Sequence, residues 1–274
     1  MSFQDKLLDS FIAFEQVIDL DNPIHTYRKN ALKRFESKGF PTKKDELWKY
    51  TSLKSIIQKD YGLSVKSNPN VGLKDIKKYS INDIDSYKIV FVDGVFNPFL
   101  SNTSHDGMDI CVLSAALSKT KYKKTINKYF NKIVPDDQSL ASLNTSYTQE
   151  GAYIHIPKSV LPEDPVQILH FSSGKNKPLW LQPRNIIIVE ENARVEIIER
   201  HQSLRAHDGV TNSLTEVYAE KNSFIDYYKI QNDLETSNLI DNTYIDQQRD
   251  SNVRVHTFSF GGKLTRNNLN FYHK

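Results

Sequence analysis

The sequence predicts a mainly β protein whose last part forms a β-solenoid, a rod of stacked coils, after a helical region and a mixed α/β segment. Two observations lead to this prediction. Alternating strand patterns recur at nearly constant spacing late in the chain, and helical periodicity is concentrated in the part before them. These patterns indicate a helical region over residues 1–60, a mixed α/β segment over 61–138 and a β-helix core over 139–274.

The helical region contains two predicted helices. Four apolar residues of the first helix recur at helical spacing, namely Leu7, Phe11, Phe14 and Ile18. The second helix follows Pro23, runs through TYRKNALKRFESK and ends at Gly39, because glycine is favoured just after a helix.

A short third helix is predicted in the run PTKKDELWKYTSL. Pro41 and Thr42 suit a helix start, with Thr42 as the N-cap and Asp45 in the position of a capping-box acid. Leu47 and Trp48 then supply the apolar side chains that anchor this helix.

The mixed segment combines one clear strand with helical patterns. The strand KIVFVDGVF is closed by Asn97 and Pro98, and helices are predicted around Cys111 and Lys128.

The segment SKTKYKKTINKYFNK, residues 118–132, carries six lysines and no acid. Its apolar positions recur at helical spacing and continue just beyond it: Tyr122, Ile126, Tyr129 and Ile133. We interpret the lysines as the solvated face of an amphipathic helix rather than as phosphate contacts. The formal net charge is only +3, so the sequence predicts no nucleic-acid partner.

The region after residue 139 contains a repeat. The segments IIVEENARVEIIER, VYAEKNSFIDYYK and IDQQRDSNVRVHT align with Asn192, Asn222 and Asp250 superimposed, in steps of 30 and 28 residues. Two apolar columns then coincide: Val195, Ile225 and Val253 in one, and Ile197, Tyr227 and Val255 in the other. Each unit therefore presents an alternating strand after a polar turn.

Units of this size, with no helix between them, favour stacked coils over a βαβ sheet. In stacked coils each strand pairs with the coils above and below, so the apolar columns face inward and the interior is packed rather than hollow. A β-sandwich of meandering hairpins is the alternative, because it also has alternating strands at regular spacing.

The sequence lacks the motifs of several common enzyme classes and of secretion. It contains no GxxxxGK[ST], GxGxxG, HExxH or GxSxG motif, and we predict no enzymatic activity. The N-terminal residues do not resemble a signal peptide, and no apolar run is long enough to span a membrane. The single cysteine, Cys111, excludes an intrachain disulfide. We expect a cytoplasmic protein with no membrane partner.

No metal site is predicted. His201 and His207 lie near Glu199 and Asp208, but a spacing of six places the histidines on no shared helical face. A polar loop between strands explains these residues better. Two other histidines within strand patterns are interpreted as structural or surface-facing: His155 and His170.

A carbohydrate-binding or carbohydrate-active β-helix protein is the alternative function. Glu196 and Asp226 share a column and could face an outer groove that binds polysaccharide. Neighbouring acids on an exposed strand are more often simply solvated.

Four separated runs, in order along the chain, resemble the SufD family of scaffold subunits in the SUF iron-sulfur cluster assembly machinery. They are GFPTKKDELWKYTSL, FVDGVFNPFLS, SLNTSYTQEGAYIHIPKSVLPEDPVQILHFSSG and FSFGGKLTRNNLNFY. The resemblance implies a helical N-terminal part followed by a right-handed parallel β-helix. It also implies a non-catalytic scaffold that forms a complex with the paralogous scaffold SufB and the ATPase SufC.

The resemblance assigns structural roles within these runs. Trp48, Tyr50 and Thr51 match the family's helix-end anchor, in which Trp48 and Tyr50 bury large surfaces and Thr51 begins the next segment. The GGKLTRNNL motif supplies further structural residues: Gly261, Gly262, Arg266, Asn267 and Asn268. No cofactor is expected on this chain, and an iron-sulfur cluster or flavin in the full complex is left open.

The chain departs from the family pattern at its end. The family's β-helix continues past GGKLTRNNL into a C-terminal helical domain that docks SufC, whereas this sequence stops at Lys274. We therefore expect a truncated chain without the SufC-docking residues. An uncapped last coil, Phe258 to Phe271, would expose strand edges and favour self-association.

Overall fold

Helices dominate the first half of the chain and strands the second. The computed structural model describes residues 2–16, 18, 22, 24–63, 71–81, 84–105, 107–148, 150–174 and 177–274. The helices are α1 (Phe3–Glu15), α2 (His25–Lys38), α3 (Lys54–Ile57), α4 (Leu73–Ile76), α5 (Leu113–Ser118), α6 (Lys123–Tyr129) and α7 (Ser139–Ser146), with 3₁₀-helices at Glu46–Trp48, Lys77–Tyr79 and Thr120–Tyr122. The strands are β1 (Tyr87–Val92), β2 (Val95–Phe96), β3 (Asp109–Val112), β4 (Ala152–Ile156), β5 (Val166–Ser172), β6 (Trp180–Leu181), β7 (Arg184–Val189), β8 (Arg194–Ser203), β9 (Val210–Ala219), β10 (Phe224–Asp233), β11 (Asn238–Gln247), β12 (Asn252–Gly261) and β13 (Leu264–His273).

The strands form two sheets that enclose a shared interior. The first has the order β12-β10-β8-β5-β1-β2, and the second has the order β13-β11-β9-β7-β4-β3 with β6 beside β9. The pairs β1–β2 and β3–β4 are antiparallel, and the other pairs are parallel. From β7 onward consecutive strands alternate between the sheets, so the chain winds as a β-helix. The predicted fold class is confirmed, and a sandwich of hairpins is excluded.

The predicted repeat corresponds to the coils of this β-helix. Ile225 pairs in register with Val195 and Val253, and Tyr227 pairs in the same way with Ile197 and Val255. The three turn residues on which the repeat was aligned have a left-handed backbone conformation: Asn192 has a φ of 59°, Asn222 of 57° and Asp250 of 59°. Asn and Asp tolerate this conformation better than most other residues, which explains why they recur at the turn.

Apolar side chains from both sheets fill one side of the interior in each coil. They include Ile168, Val195 and Ile225 of the first sheet and Ile187 and Val217 of the second. The predicted apolar columns therefore do face inward, but the other side of each coil holds charged and polar side chains, which the repeat did not predict.

The two long N-terminal helices are confirmed. The Ser2 side chain caps α1 by accepting a hydrogen bond from the Asp5 backbone N–H, and Leu7 and Phe11 are buried. Gly39 ends α2 with a φ of +67°. Ile18 lies beyond the end of α1, and Pro23 lies outside the described residues.

The predicted third helix is shorter than expected. Thr42 and Asp45 bond to each other as a capping pair would, since the Thr42 backbone N–H donates to Asp45 Oδ2 at 2.6 Å. The segment nevertheless forms only the 3₁₀-helix Glu46–Trp48. Trp48 is buried, but Leu47 is 62 % exposed, so its predicted role as an anchor is wrong.

The mixed segment contains the predicted strand and helices, with one correction. Asp93 and Gly94, with φ of 51° and 78°, turn β1 into β2. Cys111 lies in β3, where it pairs with Tyr153, rather than in a helix. The helix around Lys128 is α6, and the six lysines of the basic segment are exposed as predicted.

Helices cover the outer face of the second sheet. Ile186, Ile188 and Tyr218 of this sheet pack against apolar residues around α5 and α6. The first residues of the predicted strand-rich region form α7 instead of a strand, and α7 packs on β9. The sheets also include β1 and β3, from the mixed segment, and the three regional boundaries stay predictions.

A fully buried ion pair joins α7 to this sheet. Arg184 Nη2 donates to Glu216 Oε1 at 2.5 Å, and both side chains are inaccessible to solvent. Arg184 Nη1 also donates to Thr145 Oγ1 of α7 at 3.0 Å, while the Asn131 backbone N–H donates to Glu216 Oε1 at 2.9 Å.

Candidate functional site

The polar side of the β-helix interior runs along the axis, opposite the apolar side. It includes five buried side chains, which we call the interior polar cluster: His170, Glu199, His201, Lys229 and Asp241. Parallel pairing brings them together. His170 and His201 are register partners on β5 and β8, and Glu199 and Lys229 are register partners on β8 and β10. Asp241 approaches from β11 in the opposite sheet.

Lys229 bridges two carboxylates in this cluster. Its Nζ lies 3.1 Å from Glu199 Oε2 and 2.9 Å from Asp241 Oδ2, and it donates to Thr243 Oγ1 at 2.7 Å. Burial by itself lowers the pKa of the Lys229 ammonium, but Asp241 and Glu199 raise it well above its usual range. Burial likewise opposes ionisation of Glu199, yet Lys229 and the two histidines hold the pKa of this carboxyl well below its usual range. Burial raises the pKa of Asp241.

The two histidines stack on each other beside Glu199. Their rings are 4.7 Å apart and nearly parallel, and Phe91 stacks on the far side of His170 at 5.0 Å. Their Nε2 atoms lie 3.6 Å (His170) and 3.4 Å (His201) from Glu199 Oε1, and neither has a hydrogen-bond partner among the described residues. Burial lowers the pKa of His170 to about 4, whereas Glu199 outweighs burial at His201 and raises its pKa.

The sequence did not reveal this arrangement. His201 lies within β8 rather than in a loop, and His207 lies apart from it, with its backbone N–H bonded to Thr236 Oγ1 at 2.9 Å. One sequence signal was available: His170 and His201 are 31 residues apart, which is close to the length of one coil of the repeat. The alignment of repeats did not extend back to β5, so this signal was missed.

The other notable histidine and acids lie elsewhere. His155 lies 2.9 Å from Glu190, through Nε2 and Oε1. Glu196 and Asp226 are register partners, as predicted, but Arg254 binds Asp226 through two hydrogen bonds of 2.5 and 2.7 Å. The pair of free acids on which the carbohydrate alternative depends is therefore not formed.

Two of the motifs singled out in the sequence meet at the Trp48–Arg266 contact. The Arg266 guanidinium lies 4.3 Å above the Trp48 ring, and it donates to Thr51 Oγ1 at 3.1 Å and to the Leu47 carbonyl at 2.6 Å. The contact ties the N-terminal region to β13. Tyr50 takes no part in it and is 91 % exposed, so the expectation that Tyr50 is buried is wrong.

Replacing Arg266 by alanine should lower the free energy of unfolding by about 1–2 kcal/mol, because a cation–π contact and two hydrogen bonds are lost. Urea unfolding monitored by tryptophan fluorescence measures this loss. Arg249→Ala, at an exposed arginine paired with its neighbour Asp250, is the control and should change stability by less than about 0.5 kcal/mol. Equal effects of the two changes would show that the Trp48–Arg266 contact contributes nothing.

The remaining residues of the GGKLTRNNL motif shape the turn before β13 and its pairing. Gly261 and Gly262 have φ of 72° and 82°, and a Cβ on Gly261 would lie 2.3 Å from the Asp233 carbonyl oxygen. Asn267 Nδ2 donates to Thr257 Oγ1 at 3.0 Å, and Asn268 Nδ2 donates to Asn242 Oδ1 at 2.8 Å.

The outer edges of β12 and β13 have no strand partner among the residues that the structure describes. Each of these strands has ten residues, so together they leave a long double row of backbone donors and acceptors. Phe258 and Phe260 project from β12 and are 46 % and 56 % exposed. The combination of open backbone groups and exposed aromatic rings is typical of a protein-binding edge.

The described part of the chain also has a cavity of about 640 Å³ beside α1. Its lining includes Phe14, Tyr147, Glu150 and Trp180. Burial raises the pKa of the Glu150 carboxyl to about 7, and its one described hydrogen bond comes from Ser114 Oγ at 3.2 Å.

Glu150→Gln should raise the free energy of unfolding at pH 8 by about 1–2 kcal/mol. The folded pKa of Glu150 lies above the unfolded one, so the folded state loses stability relative to the unfolded state as pH rises from about 4 to 7. The gain from glutamine should therefore disappear near pH 4. Urea titrations at both pH values measure it, with Glu191→Gln as the control at a carboxylate on the surface. A gain that is the same at both pH values would contradict the assigned ionisation.

None of the described helices is both long and apolar enough to cross a membrane.

Two family models match the chain almost end to end. Residues 1–168 match the SufBD protein N-terminal region, and residues 170–274 match the SufBD core domain of SUF system FeS cluster assembly.

Curated relatives carry related names. An iron-sulfur cluster assembly SufBD family protein of Synechocystis is 25 % identical over 257 residues, which are 91 % of this chain and 56 % of the relative. The iron-sulfur cluster assembly protein SufD of Escherichia coli is 23 % identical over 235 residues, 84 % of this chain and 51 % of the relative. SufB of Bacillus subtilis is 33 % identical over 104 residues, 36 % of this chain and 21 % of the relative. The chain thus spans about half the length of the first two.

Proposed function

Since this chain belongs to the SufBD family of the SUF iron-sulfur cluster assembly system, we propose that it acts there as a non-catalytic scaffold. The observation that carries the proposal is the β-helix itself, a stack of coils whose strands pair in parallel register from β7 to β13. Repeat folds of this kind present extended surfaces that hold partners, with exposed side chains adding specificity.

We propose SufB as a partner of this β-helix. A paralogous β-helix has coils of the same kind, so strands of the two proteins can pair through their backbones. Phe258 and Phe260, which are 46 % and 56 % exposed, would add apolar contact area to such an interface.

The ATPase SufC is the second proposed partner, and the cytoplasm is the proposed location. The resemblance places the SufC contacts in a C-terminal helical domain that follows the β-helix. We therefore assign no SufC contact to residues 1–274.

The test is co-expression of affinity-tagged SufB and SufC with this protein, followed by affinity capture and size-exclusion chromatography. A complex of all three proteins is the expected result. Failure of this protein to elute with either SufB or SufC would overturn the proposal.

Residues 1–274 should also self-associate when no partner is present, because β12 and β13 of one copy can pair with those of another. Light scattering coupled to size exclusion should show a mass that rises from monomer toward dimer with concentration. Phe258→Ser combined with Phe260→Ser should shift this transition to higher concentration. A constant monomer mass at high concentration would contradict the prediction.

A further inference from the structure

We propose that His170, Glu199 and His201 form a binding site for one divalent transition-metal ion inside the β-helix. The three side chains offer two imidazole nitrogens and one carboxylate oxygen, and these atoms all lie within 4.8 Å of one another. All three residues are buried.

The distances suit metal ligation better than hydrogen bonding. Ligand atoms at about 2.0–2.1 Å from a tetrahedral zinc ion lie about 3.4 Å from each other. Glu199 Oε1 lies 3.4 Å from His201 Nε2 and 3.6 Å from His170 Nε2, which is too long for good hydrogen bonds. An ion between them would draw the two imidazoles together.

Both Nε2 atoms face Glu199 without forming a hydrogen bond. Each is buried without a hydrogen-bond partner among the described residues, although buried polar atoms in proteins are nearly always bonded. A metal ion would satisfy both nitrogens at once, each in its deprotonated form, with Glu199 as the neighbouring anionic ligand.

The surroundings hold Glu199 in place and leave room for a further ligand. Asn185 Nδ2 donates to Glu199 Oε1 at 2.8 Å, while Tyr227 Oη and Lys229 Nζ bond Oε2 at 2.5 and 3.1 Å. These bonds hold the carboxylate in one orientation, as hydrogen bonds to metal ligands do in known metal sites. A cavity of about 20 Å³, lined by both histidines and Asp233, has room for one water molecule.

The donor set selects the class of ion. Imidazole with one carboxylate suits Zn²⁺, Fe²⁺ and Co²⁺, whereas Ca²⁺ and Mg²⁺ prefer sites built from oxygen alone. The site lies inside the coils and away from the outer edges of β12 and β13, so it is independent of the scaffold interaction.

The test is titration of the chelator-treated protein with Co²⁺, followed by visible absorption, and competition with Zn²⁺ by calorimetry. One ion per chain is expected, and His170→Asn combined with His201→Asn should weaken binding by about 100-fold or more. His256→Asn, at an exposed histidine stacked on Tyr228, should leave binding unchanged. Binding that is absent, or equal in the double variant, would overturn the proposal.

X-ray absorption of the zinc-loaded unchanged chain tests the site even if the double variant does not fold. Nitrogen and oxygen ligands at about 2.0 Å, including two imidazoles, are expected. A zinc–sulfur distance of about 2.3 Å would place the ion at the single cysteine, Cys111, and would refute the assignment.

Discussion

Lys229→Met should lower the free energy of unfolding at pH 7 by about 3–5 kcal/mol, because it leaves two buried carboxylates without their cation. Lys229 is the ammonium that both Glu199 and Asp241 contact in the interior polar cluster. Methionine has a similar length, so loss of packing is small and loss of charge dominates. Urea unfolding measured by circular dichroism gives the change.

The dependence on pH identifies the cause. In the unchanged protein the pKa of Glu199 lies below its unfolded value, so its contribution is present above about pH 4.5 and is lost as pH falls. Without Lys229 the pKa of Glu199 should rise above its unfolded value and the already raised pKa of Asp241 should rise further, so the variant should recover part of its deficit as pH falls from 7 toward 5. Lys158→Met, which breaks an exposed pair with Glu191, should cost less than about 1 kcal/mol at either pH. A Lys229→Met deficit that does not shrink on acidification would contradict the electrostatic explanation.

Arg184→Met should also lower the free energy of unfolding by about 3–5 kcal/mol, since Glu216 would be left as a charge without its cation in a site closed to solvent. Arg184 also donates to Thr145 of α7, so the variant should loosen the packing of that helix on the second sheet. Urea unfolding gives the energy, and amide hydrogen exchange over α7 reports the loosening.

A second change separates charge from packing at this site. Arg184→Met combined with Glu216→Gln removes both charges and should recover much of the stability that the single change loses. Arg194→Met, at an exposed arginine that pairs with Glu196, is the matched surface control and should cost less than about 1 kcal/mol. If the double variant is as unstable as the sum of its single changes, the buried charge is not the cause.

The β-helix could be predicted from the sequence because its repeat depends on local features. The turns before β8, β10 and β12 each need a residue with a left-handed backbone conformation. Asn192, Asn222 and Asp250 are of residue types that tolerate that conformation. Alternation then places Ile225 and Tyr227 on the inner face.

The polar side of the interior could not be predicted in the same way. Glu199 and Lys229 continue the inward alternation of Val195 and Ile225, but a charged residue in an inward position is acceptable only beside its partner. That partner lies a full coil away, and Asp241 comes from the other sheet. Cys111 was misplaced for a related reason, because a short apolar run becomes a strand only by pairing with a distant one, here β4.

The open edges of β12 and β13 also bear on how the rod comes apart. Each coil is supported mainly by its neighbours, so the coil with a neighbour on one side only should fray first, while the coils behind it stay folded. A chain that docks there would turn a fraying end into an interior coil. Local ordering and association would then be one thermodynamic event, and the measured affinity would include the free energy of holding that last coil closed.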